Sequence, residues 1–232
     1  MTVNKQSQNL NVSHSKMFPF ITGTWNPLGG ECQHNCPYCW AQKLVQKYFM
    51  QKYYGQPRLI ERELNRQFKP NDFIFVSDMC DLFGAWVQPV LIEKILNNIK
   101  ASPAKFLLLT KNPERYRYFN IPKNCTLGCT VESDITHFKS KAPPTGLRLA
   151  FMETLNCFNE NPRMLSIEPI LKFTPAFAGE ILSVKPKVVA IGYDNYNNHL
   201  PEPTLAETEE LIKILEKRHI KVYRKTIREA RA

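Results

Sequence analysis

Three of the seven cysteines fall within eight residues, at Cys32, Cys36 and Cys39. The C-x3-C-x2-C spacing puts three soft thiolate donors on one loop, a set that can wrap one corner of a cubane iron–sulfur cluster. Each thiolate takes one iron and the fourth iron keeps no protein ligand, which leaves it open to chemistry. The same thiolates could instead hold structural zinc with His34 or Cys80 as fourth ligand. Zinc ribbons, however, pair two short knuckles, and no second C-x2-C occurs in the chain. Cys125 and Cys129, four apart on an apolar run, read as buried thiols rather than as a second cluster. An odd cysteine count in a chain without an apolar signal core argues against a disulfide framework.

A loop of this kind has to be held by regular elements. Short apolar runs recur at Phe20–Thr24, Phe73–Val76, Phe106–Leu109, Thr126–Val131, Met164–Ile167 and Val188–Ile191. Several are continuous rather than alternating, the pattern of parallel strands covered on both faces. Helix-compatible stretches lie between them at Ala41–Phe68, Pro89–Lys100, Pro113–Phe119 and Thr204–His219. The last has Thr204 as N-cap with Glu207 three residues on. Each βα unit takes roughly 34 residues, so a closed eight-fold barrel would need about 272, more than the 232 present. The expected fold is therefore α/β, an open partial (βα)6 barrel with a mostly parallel sheet and Lys221–Thr226 as an extra edge strand. A doubly wound sheet shares the alternation and differs in strand order. Residues 1–16 read as a polar, disordered leader, and residues 17–232 as one domain ending in a basic segment.

Polar residues follow nearly every run: Ser77 and Asp78, Thr110 and Lys111, Thr130 and Glu132, Ser166 and Glu168, Gly192 and Asp194. In parallel α/β folds ligands bind at strand C-termini, so these groups are expected to line one cofactor-sized pocket beside the cysteine loop.

The cysteine spacing, with Tyr38 directly before the third cysteine, resembles the radical S-adenosylmethionine (SAM) superfamily. The segments Val76–Phe83, Leu109–Lys111, Thr130–Glu132 and Leu165–Pro169 extend the likeness to its phage-associated three-cysteine-motif branch, whose function is largely uncharacterised. The resemblance implies a radical SAM type partial barrel with a [4Fe-4S] cluster on Cys32, Cys36 and Cys39. It implies S-adenosylmethionine on the open iron, cleaved reductively to a 5′-deoxyadenosyl radical. By the same resemblance Tyr38 lies near adenine, Ser77 and Asp78 meet the methionine amino group, and Thr130, Glu132, Ser166 and Glu168 hold ribose hydroxyls. Lys111 could contact a carboxylate, while Asp81, Trp86, Tyr193 and Tyr196 could face a substrate. The usual Gly-Gly-Glu of the second strand is absent, since Gly29-Gly30-Glu31 precedes the cysteines. An external electron donor is also implied, with a partner protein if the substrate is bulky.

The formal net charge is +10, and Lys217–Ala232 carries seven Lys or Arg against Glu229 alone. A concentrated basic tail suits a phosphate-bearing nucleic acid or nucleotide substrate, and it also suits a solvated terminal helix. No run is long and apolar enough for a membrane span, so the chain is expected to be cytoplasmic with no membrane partner. Two other readings stay open, a zinc-dependent nucleic-acid-binding module and a catalytically silent cluster- or SAM-binding partner protein.

Overall fold

Seven strands form one all-parallel sheet in the computed structural model, which describes residues 17–231. The leader expected over residues 1–16 lies outside the described residues. In chain order, β1 (Gly23–Trp25) is followed by β2 (Leu28–Gly29), α1 (Trp40–Leu44), a wide π-turn (Val45–Phe49), α2 (Met50–Tyr53), β3 (Arg58–Leu59) and α3 (Glu61–Leu64). Then come β4 (Phe73–Val76), α4 (Pro89–Ala101), β5 (Lys105–Thr110), a 3-10 turn (Pro113–Tyr118) and β6 (Cys125–Thr130). The chain finishes with α5 (Thr145–Thr154), β7 (Arg163–Ile167), α6 (Phe177–Ser183), β8 (Val188–Ile191), α7 (Leu205–Lys217) and β9 (Lys221–Arg224).

The sheet order is β1-β4-β5-β6-β7-β8-β9, while β2 and β3 pair antiparallel apart from it. A doubly wound sheet reverses direction at a switch point, and this one never does. It curls instead into a half-barrel. The expected extra edge strand is present as β9, parallel to β8.

Two-sided burial explains why the strands read as unbroken apolar runs. On the outer face Ile74, Val76, Phe106, Leu108, Leu165 and Ile167 pack with helix residues such as Ile92, Ile95 and Ile99 of α4 and Leu211, Ile212 and Leu215 of α7. On the concave face Phe75, Leu107, Met164 and Ala190 form a second cluster with Phe18 and Ile21. Phe20 spans the curl, its ring 5.3 Å from Phe73 on β4 and 5.0 Å from Tyr223 on β9. The apolar run at Phe20 is thus a plug inside the half-barrel, and the strand itself begins later, at Gly23.

One expectation fails locally. The helix read over Ala41–Phe68 is broken into α1, the π-turn, α2, β3 and α3. Gly55 turns the chain at φ +74°, and Pro57 cannot donate a helical hydrogen bond. At the other end of the chain, Thr204 and Glu207 form the expected capping box on α7.

Candidate functional site

The strand C-termini and the cysteine loop enclose a cavity of about 1010 Å³, at the upper end of small-molecule sites. The loop leaves β1 through β2 and is fixed against α2 and the turn that follows it. Gly30 N–H donates to Lys52 O at 3.0 Å, and Glu31 N–H to Gly55 O at 2.9 Å. Gly30 sits at φ +99°, where an added Cβ would lie 2.6 Å from Gln56 O, so only glycine lets the two segments run this close.

Cys32, Cys36 and Cys39 all line the cavity. Cys39 caps α1, its Sγ accepting from Gln42 N–H at 3.4 Å. The Cys32 thiol is pushed up to about 12, first by burial, then by Asp81, with Cys39 and Cys36 adding to the rise. Burial also raises the Cys36 thiol. Thiols in this state are poor free nucleophiles, and a bound cation is what would draw off their protons. Among the described residues, no three His, Cys, Asp or Glu side chains converge on a single-ion site.

Asp81 ties the loop to the sheet. Its carboxylate lies 2.7 Å from His34 Nε2 and accepts from Thr110 Oγ1 at 2.7 Å, Lys111 N–H at 2.9 Å and Phe83 N–H at 2.9 Å. Burial would raise its pKa, but the His34 hydrogen bond and charge and these further donors outweigh burial and lower it. His34 packs edge-on against Trp86 at 4.8 Å, and its Nδ1 is buried without a partner. Asp81 and Trp86 therefore brace the loop.

The structure brings most of the expected binding residues to this cavity. Ser77, immediately after β4, is buried at φ +56° with an Oγ that has no hydrogen-bond partner. Asp78 beside it accepts from Asn26 Nδ2 at 2.5 Å, and burial raises its pKa. Tyr38, Thr130, Ser166 and Glu168 also line the space. Glu168 is already engaged by Lys225, 2.5 Å away. Tyr193 lies at the wall with its hydroxyl 2.7 Å from Thr208 Oγ1, and Tyr196 stands exposed at the mouth.

Glu132 does not line this cavity. It is buried behind it, bonded to the Tyr38 hydroxyl and to Lys111 Nζ, and it accepts from Arg148 Nη1 at 2.9 Å. Burial would raise its pKa, yet Lys111 and Arg148 hold it down to about 2. Its structural place is to orient Tyr38 and Lys111, which reach the cavity.

Arg148 was not singled out from the sequence, although it sits in the buried stripe Thr145, Arg148, Leu149 and Met152 of α5. A cation on an apolar helix face was the available signal. Arg224, Lys225 and Thr226 also reach the cavity, so the tail contributes to the site. As a phosphate-binding surface the tail is partly spent, three of its seven cations being paired with carboxylates. Arg224 pairs with Glu209 at 2.8 Å, Lys225 with Glu168, and Arg228 with Glu202 at 2.6 Å. Among the described residues no helix is long and apolar enough to cross a membrane.

The family model described as "Protein of unknown function (DUF5131)" matches residues 16–178. The chain belongs to the DUF5131 family. The DUF5131 match contains the cysteine loop and every strand from β1 to β7, and it stops before β8, α7 and β9. No match is found among curated proteins or solved structures.

Proposed function

We propose that the chain is a radical SAM enzyme that binds a [4Fe-4S] cluster and S-adenosylmethionine at the C-terminal mouth of the half-barrel. The observation that carries this reading is the meeting of Cys32, Cys36 and Cys39 in one cavity with the buried, unpartnered Ser77 Oγ. Three thiols suit the iron corners of a cluster, and an orphan hydroxyl beside Asp78 suits an ammonium donor. The cluster, when bound, would supply the electron that splits the sulfonium to methionine and a 5′-deoxyadenosyl radical. Every other task falls to the chain. Ser77 and Asp78 accept from the amino group, Lys111 offers a cation to the carboxylate, and Thr130 and Ser166 offer hydroxyls to the ribose. Glu132 keeps Tyr38 and Lys111 oriented from behind.

One observation favours a second reading. His34 offers an unpartnered Nδ1 while Asp81 holds its Nε2, the carboxylate–histidine arrangement of many zinc ligands. A single structural zinc ion on Cys32, Cys36, Cys39 and His34 would require these side chains to close around it, since no three of them converge on one point. Metal and acid-labile sulfide analysis of anaerobically reconstituted protein separates the two. About four irons and four sulfides per chain, lost in Cys36→Ala and kept in Cys125→Ala, is the expected result. One zinc without sulfide, or full iron in Cys36→Ala, would overturn the cluster assignment.

A further inference from the structure

The helical ridge from α1 through the π-turn to α2 forms one rim of the cavity, and it carries four of the ten exposed large hydrophobic side chains among the described residues. Leu44, Tyr48, Phe49 and Tyr54 are all exposed within eleven residues, Tyr48 and Tyr54 by 61% and 67%. None of Val45–Phe49 is buried. Tyr54 also lines the cavity, as does Tyr196, which stands beside the ridge with Lys43 Nζ 5.5 Å from its ring centre. Aromatic rings standing in water beside a ligand cavity are costly unless something stacks on them.

The charge on the ridge indicates what that is. Between Glu31 and Glu61 the sequence has Lys43, Lys47, Lys52 and Arg58 and no Asp or Glu. Lys52 pairs with Glu63 at 3.3 Å, and Arg58 is held by the backbone carbonyls of Gln51, Lys52 and Tyr54. Lys43 and Lys47 have no carboxylate partner among the described residues; Lys47 Nζ lies 4.9 Å over the Tyr48 ring and Lys43 donates to Asn198 Oδ1. Exposed rings alternating with uncompensated cations are the surface that binds single strands, where bases stack on aromatic faces and lysines meet phosphates. An acidic protein would satisfy the lysines but not the exposed ring faces. A duplex keeps its bases stacked on each other and cannot use the rings.

We infer that the α1–α2 ridge is a docking surface for a single-stranded nucleic acid, which it leads past Tyr54 and Tyr196 into the cavity. As a statement about substrate this rests on the radical SAM reading. As a statement about binding it stands on the surface alone. Three of the seven tail cations, Arg224, Lys225 and Arg228, are paired with carboxylates, and the tail has no exposed aromatic cluster like that of the ridge, so the ridge is the better surface for bases.

The test is fluorescence anisotropy of the full chain, anaerobic and reconstituted, with labelled single-stranded 12-mers of DNA and of RNA and with a matching duplex. At least one single strand is expected to bind, more tightly than the duplex and less tightly as salt rises. Tyr48→Ala with Tyr54→Ala should weaken binding by about tenfold per ring. Lys43→Gln with Lys47→Gln should reduce the slope of log affinity against log salt by about 1.4. These positions are exposed or half-buried, and thermal unfolding checks that each variant is folded. Failure to bind either single strand, equal binding of the duplex, or indifference to loss of both rings would overturn the inference. Sedimentation showing a wild-type dimer that the ring variants dissolve would overturn it too, by giving the ridge to a second copy. If oligonucleotide binding stands while SAM is never cleaved, the docking surface survives and the reading of the reaction does not.

Discussion

The two rims of the cavity carry similar residue types and use them differently. At the β7–β9 rim nearly every charge has an internal partner: Glu168 with Lys225, Glu202 with Arg228, Glu209 with Arg224, and Asp194 with the backbone N–H groups of Tyr196 and Asn198. At the β1–β4 rim the three thiols face the cavity, and both the Ser77 Oγ and the His34 Nδ1 are buried without partners. At the β7–β9 rim the Nε of Arg228 is left unpartnered, on a guanidinium whose other nitrogens bond Glu202. Because an unsatisfied buried polar group costs roughly 1–3 kcal/mol, a fold does not leave several together without return. What distinguishes Ser77 and His34 is that both line the cavity, whereas the other buried unpartnered atoms among the described residues, on Asn156, Glu180 and Arg228, belong to residues that do not.

The comparison is broken most severely by removing the charge behind the cavity. Glu132 sits between Lys111 and Arg148, and replacing it leaves two cations without their carboxylate. Glu132→Gln should lose about 3 kcal/mol of stability at neutral pH, measured by denaturant unfolding. The fold holds this carboxyl at about 2 against an ordinary 4.5. Its contribution is therefore complete above about pH 4.5 and is lost as pH falls toward 2, and Glu132→Gln should flatten the stability curve across that window.

A smaller loss is expected at the used rim. Glu202 is buried and accepts from Arg228 at 2.6 and 2.7 Å and from Arg231 N–H at 2.7 Å. Glu202→Gln should cost about 2 kcal/mol of stability and leave SAM affinity unchanged, which urea unfolding and calorimetry would show. Any large loss of SAM binding there would mean that the two rims are not functionally distinct.

The mildest substitution should do the opposite. Ser77→Ala removes a hydroxyl that has no partner, so stability should stay level or rise slightly. SAM affinity of the reconstituted protein should fall by about 1 kcal/mol, or roughly fivefold. Unchanged affinity in calorimetry would remove Ser77 from the site.

These differences in use could not be read from the sequence, although the architecture largely could. Strands buried on both faces and a Thr204–Glu207 box are local patterns, and they led to the parallel sheet and α7. The cysteine loop and the polar strand ends were likewise legible, because a parallel sheet brings its C-termini to one edge. Partnering is a long-range property. Arg228 and Glu202 are 26 residues apart and Lys225 and Glu168 are 57 apart, so the tail read as an unneutralised basic run. Glu132 read as a ligand contact for the same reason, since Arg148 reaches it only through the packing of α5. The break in the first long helix was signalled by Gly55 and Pro57, and helical composition obscured it.

The central claim is that the unused rim holds a cluster and SAM and splits the sulfonium. Its most direct test is product analysis of the anaerobic, reconstituted chain reduced with dithionite in the presence of SAM. The account predicts slow release of 5′-deoxyadenosine and methionine, abolished in Cys36→Ala. An intact cluster with SAM bound and no 5′-deoxyadenosine over hours, or release of methylthioadenosine in its place, would contradict it.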